Sequence, residues 1–175
     1  MLNNEVLEAL ETRRSIRAYK PTQITEDELQ AVLRAGTFAP TAHGQQSPFI
    51  VAVQNAAMCD QLRRMNAEVM GVTTDPYYGA PTIVLVFVPE DNRNGVQDGS
   101  CVLQNMMLAA HSVGLGSCWI NREAEMFATD EGKGLMKRMG LPDGLRGVGA
   151  LALGYAETVP SAPKPRKEDY ARIIR

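Results

Sequence analysis

Residues 82–88 read TIVLVFV, with Pro81 before them and Pro89 after. β-branched and apolar side chains fill the run, and no alternation divides them between a wet and a dry face. That pattern belongs to a strand buried on both sides. The two prolines mark its ends. The run is therefore expected at the centre of a sheet, and the rest of the chain has to supply its neighbours.

Three shorter runs qualify: FIVAV at 49–53, SCWI at 117–120 and GVGALALGY at 147–155. The first is expected to be a short buried strand. Helical patterns separate them. In TEDELQAVLRAG (25–36), Thr25 and Glu28 form a capping box, Leu29, Val32 and Leu33 form an apolar stripe, and Gly36 is a fitting stop. Met58, Leu62, Met65 and Val69 mark another helix. DGSCVLQNMMLAAHSVG (98–114) reads as a long buried helix with Val102, Met106, Ala109 and Val113 on one face. A further helix is expected from Glu123 to Met139. FAPTAHGQQSP (38–48) is rich in turn formers and reads as a loop. Strands alternating with helices argue for an α/β or α+β fold. No internal repeat or low-complexity segment is visible.

The global numbers fit one domain spanning residues 1–175, 45% hydrophobic and 22% charged. Lys+Arg 18 against Asp+Glu 20 gives a net charge of -2, which argues against a nucleic-acid partner. Any anion site must come from a local concentration of charge. The cysteines Cys59, Cys101 and Cys118 are widely spaced and match no zinc pattern, so free thiols in a reducing cytoplasm are expected. The N-terminal MLNNEVLEALETRR has no apolar core of a signal peptide. Gly99 to Asn121 is free of charge, but Gln104, Asn105, His111 and glycines interrupt it. A buried helix followed by a strand fits better than a membrane span.

The local charge is at the chain ends. LETRRSIRAYKP (10–21) follows a helix that Asn3 or Asn4 can cap and whose stripe is Val6, Ala9 and Leu10. The next positions on that stripe are Arg13 and Arg17. Two readings stand. Cations near a helix C-terminus gain a few tenths to about 1 kcal/mol from the dipole. Alternatively, an inward guanidinium has a partner, either a carboxylate or a ligand phosphate gripped in a bidentate fork. The second cluster, KPRK (164–167), lies in the proline-rich tail ETVPSAPKPRKEDY, read as an extended arm over 157–175. Two basic clusters meeting at one phosphomonoester would make chemical sense.

Other motifs are weaker. GLGSCW (114–119) follows a helix rather than a strand and lacks the third glycine of a dinucleotide fingerprint. The two histidines, His43 and His111, have no nucleophile motif beside them, and they make a poor metal set. No metal site is expected.

As an ordered set, RRSIRAY, APTAHGQQSP, YYGAPTIVLVF, DGSCVLQNMMLAAHSVGLGSCWI, GALALGY and KPRK resemble the blocks of the nitroreductase family, the FMN-dependent NAD(P)H oxidoreductases. The resemblance covers nearly the whole chain. It implies an α+β fold with a central, mostly antiparallel sheet wrapped by helices, and a homodimer with FMN at the interface. It implies that Arg13, Arg14, Ser15 and Arg17 bind FMN from one subunit, with Lys164 and Arg166 joining them at the phosphate. Pro40, Thr41, Ala42 and Gln46 would reach the same flavin from the partner subunit, and Cys118, Trp119 and Ile120 would line one face of its ring system. Arg17 would sit near flavin N1. NAD(P)H would be the donor and a nitroaromatic, quinone or similar small molecule the acceptor, with the chemistry carried by the cofactor and no protein nucleophile or general acid. Two departures concern substrate choice: Gly44 stands where many members have Asn, and the segment between Met65 and Tyr78 is short. Dehalogenation, flavin fragmentation and ring dehydrogenation on the same scaffold remain open, as does a non-catalytic flavin-binding sensor or storage protein.

Overall fold

The run at 82–88 lies where its composition requires: every residue from Thr82 to Val88 is buried, in the middle of an antiparallel sheet. The computed structural model describes residues 2–160 and 162–175. Met1, and Ser161 within the expected arm, lie outside the described residues. The elements are α1 (Glu5–Thr12), α2 (Glu26–Thr37), β1 (Phe49–Val53), α3 (Ala56–Met70), β2 (Thr82–Pro89), α4 (Gly95–Ser112), β3 (Gly116–Ile120), α5 (Glu123–Ala128), α6 (Asp130–Arg138) and β4 (Leu145–Gly154).

The strand order is β1-β2-β4-β3, with every neighbouring pair antiparallel. Side chains along β2 alternate between two cores. Ile83, Leu85 and Phe87 pack with α3, α5 and α6, whereas Val84 and Val86 pack with α2 and α4. The sheet thus sits between two helical layers, and the α+β expectation holds. At β4 the register shifts between Val86 and Phe87, so Val148 is an extra, bulged residue. Gly149 beside it is required by close approach: a Cβ there would lie 2.5 Å from Trp119 Nε1.

Four local expectations are corrected. Gly36 does not end α2. It is buried inside the helix, where a Cβ would meet Ile50 Cδ1 and Met106 Cγ at 2.9 Å, so it is there for close packing. The capping box of Thr25 and Glu28 is present as read. β1 is an edge strand in which only Val53 is fully buried. Val113, expected on the face of the long buried helix, is exposed because it falls just past the helix end. The expected helix from Glu123 to Met139 is two helices. Thr129 is extended (ψ 159) and its hydroxyl accepts from Gly132 N at 3.0 Å, ending α5 and capping α6. Among the described residues no helix is long and apolar enough to cross a membrane.

Candidate functional site

Asn4 caps α1 by accepting from Leu7 N. The helix stops at Thr12, and Arg13 turns away with φ -56 and ψ 136. Arg13 and Arg17 therefore do not continue the Val6–Leu10 stripe. From Ser15 the chain runs extended beside β3. Ser15 bridges Ser117, and Ile16 N donates to Ser117 O at 3.0 Å. Ile16 and Tyr19 enter the core, Arg13, Arg14 and Ser15 are half-buried, and Arg17 is exposed. Tyr19 fixes the segment by donating to the carbonyls of Ile16 and Ala152.

Arg13 and Arg14 have buried guanidinium nitrogens with no partner among the described residues. Arg14 Nη1 donates to the carbonyls of Glu11 and Arg13, at 2.7 and 2.6 Å. Arg14 Nε and Arg13 Nη1 are buried without a partner among the described residues, and neither side chain has a carboxylate in ion-pair range among them. A buried donor left unmade costs roughly 1–3 kcal/mol. Both arginines line a cavity of about 260 Å³ with Thr12, His111, Ser117 and Pro160. Thr12 Oγ1 already donates its proton to Glu8 O at 2.7 Å, so in its 2.9 Å contact with His111 Nε2 the imidazole N–H is the donor. Both of those protons are thus used within the chain, and the polar character of the cavity comes chiefly from Arg13 and Arg14, whose guanidinium groups suit a multi-oxygen anion such as a phosphate.

The three β3 residues expected along one flavin face do not share a side-chain face. Cys118 and Ile120 are buried in one core, and Trp119 packs against the other, its indole N–H donating to Asn121 Oδ1 at 3.1 Å. Strand alternation makes this unavoidable. Burial pushes the Cys118 thiol up, against the opposing pull of Arg17, the Ser15 hydroxyl and Arg13. It stays a protonated core residue and no nucleophile.

The 41–46 loop forms a second cluster. His43 and Gln46 have left-handed backbone, as does Gly44. Thr41 Oγ1 accepts from Gln46 N at 3.0 Å, and Asp98 Oδ1 accepts from Ala42 N at 2.9 Å. Pro40 and Gln46 are exposed, with Thr41 and Ala42 half-buried. Thr41 and Gln46 line a cavity between α2, β1 and α4, separate from the one lined by Arg13 and Arg14. Asp98, which holds this loop, was missed in the sequence reading. Its signal is an acid one turn ahead of Val102 on the buried stripe of α4. Lys164 and Arg166 are exposed and are not brought to Arg13 or Arg14 by any hydrogen bond or ion pair among the described residues. Among those residues no group of three or more His, Cys, Asp or Glu could hold a metal.

An antiparallel sheet between two helical layers, with a cavity lined by Arg13 and Arg14 at its β3 edge, defines the class of scaffold. The nitroreductase family model matches residues 10–77 and 70–155, and the chain belongs to the nitroreductase family. A curated relative from Archaeoglobus fulgidus, named as a candidate NADH dehydrogenase/NAD(P)H nitroreductase, is 30% identical over 174 residues, covering 95% of this chain and 90% of its own. A crystal structure of a nitroreductase with bound FMN from Bacteroides fragilis superposes with a TM-score of 0.92 at 32% identity, covering 99% of this chain and 100% of that one. A nitroreductase with bound FMN from Desulfitobacterium hafniense has the same fold, with a TM-score of 0.90 at 23% identity and coverage of 99% and 100%.

Proposed function

We infer that this chain is an FMN-dependent NAD(P)H oxidoreductase, working as a cytoplasmic homodimer on a nitroaromatic, quinone or similar small acceptor. One observation of this chain carries the reading: Arg13 Nη1 and Arg14 Nε are buried without a partner among the described residues, and both arginines line a cavity of about 260 Å³. The family and its FMN-bound relatives support FMN as the phosphate-bearing ligand there. When bound, FMN supplies the redox chemistry, taking a hydride equivalent from NAD(P)H and passing the electrons on.

The protein's own groups bind and orient. Arg13 and Arg14 hold the phosphate with charge-assisted hydrogen bonds, joined by Lys164 and Arg166 from the tail. Ser15 and Arg17 extend the site along β3, where Cys118, Trp119 and Ile120 offer backbone. The 41–46 loop, with Pro40, Thr41, Ala42 and Gln46, serves the site of the second subunit. The apolar residues left exposed on α1 and on Phe38 support a homodimer. The free thiols of Cys59, Cys101 and Cys118 suit a reducing compartment.

Titration of the purified protein with FMN, followed by quenching of flavin fluorescence, tests this. Stoichiometric quenching is the expected result. A protein that neither carries nor binds FMN sinks the reading.

A further inference from the structure

Tyr78 has φ 57, a backbone region that penalises side chains other than glycine and, less strongly, asparagine. The following residue, Gly79, is also left-handed, at φ 73. Burial of the ring does not repay the strain, because Tyr78 is 37% exposed. The turn that presents it is firmly mounted. Asp75 Oδ1 accepts from Tyr77 N at 2.8 Å and Oδ2 from Gly79 N at 2.7 Å. Asp75 also lies 3.2 Å from Arg63 Nε as an ion pair, and Arg63 Nη2 donates to Ala80 O at 2.8 Å. Tyr77 is fully buried and donates its phenol proton to Glu123 Oε1 at 3.0 Å.

What this mount delivers is one ring beside one cation. The Arg17 guanidinium lies 6.0 Å from the centroid of the Tyr78 ring, at the outer reach of a cation–π contact. Arg17 has no hydrogen bond or ion pair of its own among the described residues. A long, exposed, otherwise untethered arginine samples many rotamers, and ordering it on binding carries an entropic cost. Strained residues on rigid mounts tend to be functional parts.

We propose that Tyr78 is a positioning residue: its ring holds the Arg17 guanidinium in place for FMN, and the 75–79 turn is built to present that ring. The inference rests on the FMN reading above. Its signature is that the ring serves binding while the backbone under it would prefer another residue, so stability and affinity should respond in opposite senses.

The test compares Tyr78→Phe, Tyr78→Asn, Tyr78→Gly, Arg17→Ala and the double variant Arg17→Ala/Tyr78→Asn, reading the thermal midpoint of the apoprotein and the Kd for FMN. Phe keeps the ring and should keep wild-type affinity. Asn and Gly suit the left-handed turn, so the apoprotein should melt at the wild-type temperature or above it, while FMN affinity falls about two- to fivefold, the size of an exposed cation–π contact. In the Arg17→Ala background Tyr78→Asn should cost nothing further. Unchanged affinity in Tyr78→Asn overturns the proposal. So does a loss that persists without Arg17, or an apoprotein that melts lower or fails to fold without the ring. If wild type itself does not bind FMN, the functional reading falls and takes this inference with it. If wild type binds and Tyr78→Asn binds equally well, only the inference falls.

Discussion

β2 and α1 are both apolar segments, yet they end in opposite circumstances. β2 has its needs met within the chain: it pairs with β4 along its length and with β1 from Ile83 to Phe87, and every residue from Thr82 to Val88 is buried, with a core on each face. α1 buries none of its residues, leaving Val6 at 67% and Leu10 at 47% exposure, and the segment after it carries guanidinium donors that nothing among the described residues satisfies. A protein cannot leave many buried donors unmade or large apolar stripes wet without cost. The difference therefore separates what folds this chain from what it binds. Damage to β2 should cost stability, and damage to α1 and residues 13–17 should cost association.

The largest effect is expected in β2. Phe87 is fully buried and meets Phe127 edge-on, with centroids 4.7 Å apart. Phe87→Ala should cost about 3–5 kcal/mol by urea denaturation of the apoprotein. A loss under about 1 kcal/mol would break the comparison, because β2 would then not be the load on which the fold depends.

Arg13 should behave in the opposite way. Arg13→Leu removes a buried, unpartnered donor, so the apoprotein should be as stable as wild type or more so. FMN affinity should fall about ten- to a hundredfold, the loss of one charge-assisted contact worth roughly 1.5–3 kcal/mol. A destabilised apoprotein with unchanged FMN affinity would place Arg13 among the structural residues.

This division also explains what was legible in the sequence. β2, the α2 capping box and the Val102–Met106 part of the buried face of α4 are specified by local pattern and burial within one chain, and they could be read directly. Gly36 and the α5–α6 break could not. Gly36 depends on Ile50 and Met106 arriving from elsewhere in the sequence, and the break depends on one threonine hydroxyl competing for Gly132 N. At the site, the presence of a basic cluster was legible, but not its geometry. Reading Arg13 and Arg17 on the α1 stripe failed because the helix ends at Thr12. Cys118 and Ile120 enter one core and Trp119 packs against the other, an alternation that a list of neighbouring residues along the flavin does not convey. Asp98, His111 and Tyr78 act through contacts with residues distant in sequence or through backbone strain, and neither leaves a pattern that periodicity can detect.

A third experiment probes a fully buried acid, Glu123. Glu123 is fully buried beneath β4, and burial is the main cause raising its carboxyl to about 8. In the folded protein it holds a proton that the unfolded chain, with an ordinary value near 4.5, has released. Folding is therefore favoured by this group fully below about pH 4.5 and progressively less as pH rises towards about 8. The slope approaches about 1.4 kcal/mol per pH unit at its steepest. Glu123→Gln cannot titrate and keeps an acceptor for the Tyr77 phenol, so wild type should lose stability relative to the variant as pH rises across that window. Equal slopes in both proteins would show that Glu123 is charged in the fold.

The smallest effect on stability is expected on α1, and it is the most direct test of the comparison. Leu10 is 47% exposed, and α1 has no fully buried residue. Beside it, Val6 and Ala9 share an apolar groove with Ala31, Ala35 and Phe38 of the α2 end and Leu108 of α4. Leu10→Asp introduces a charge where a lone chain exposes the side chain to water, so a monomer should lose no more than about 0.5 kcal/mol. The same carboxylate placed between two copies would be desolvated without a partner. Sedimentation of wild type and Leu10→Asp over a range of concentrations should therefore show a dimer in the first and dissociation in the second, with denaturation midpoints that converge at low concentration. FMN binding should weaken along with dimerisation, because the 41–46 loop and the Arg13 cluster line separate cavities in one chain and would serve one flavin only across two chains. If Leu10→Asp stays dimeric, the interface lies elsewhere. If it becomes monomeric and still binds FMN as tightly as wild type, a single chain completes the site, and the exposed face of α1 is unrelated to the flavin.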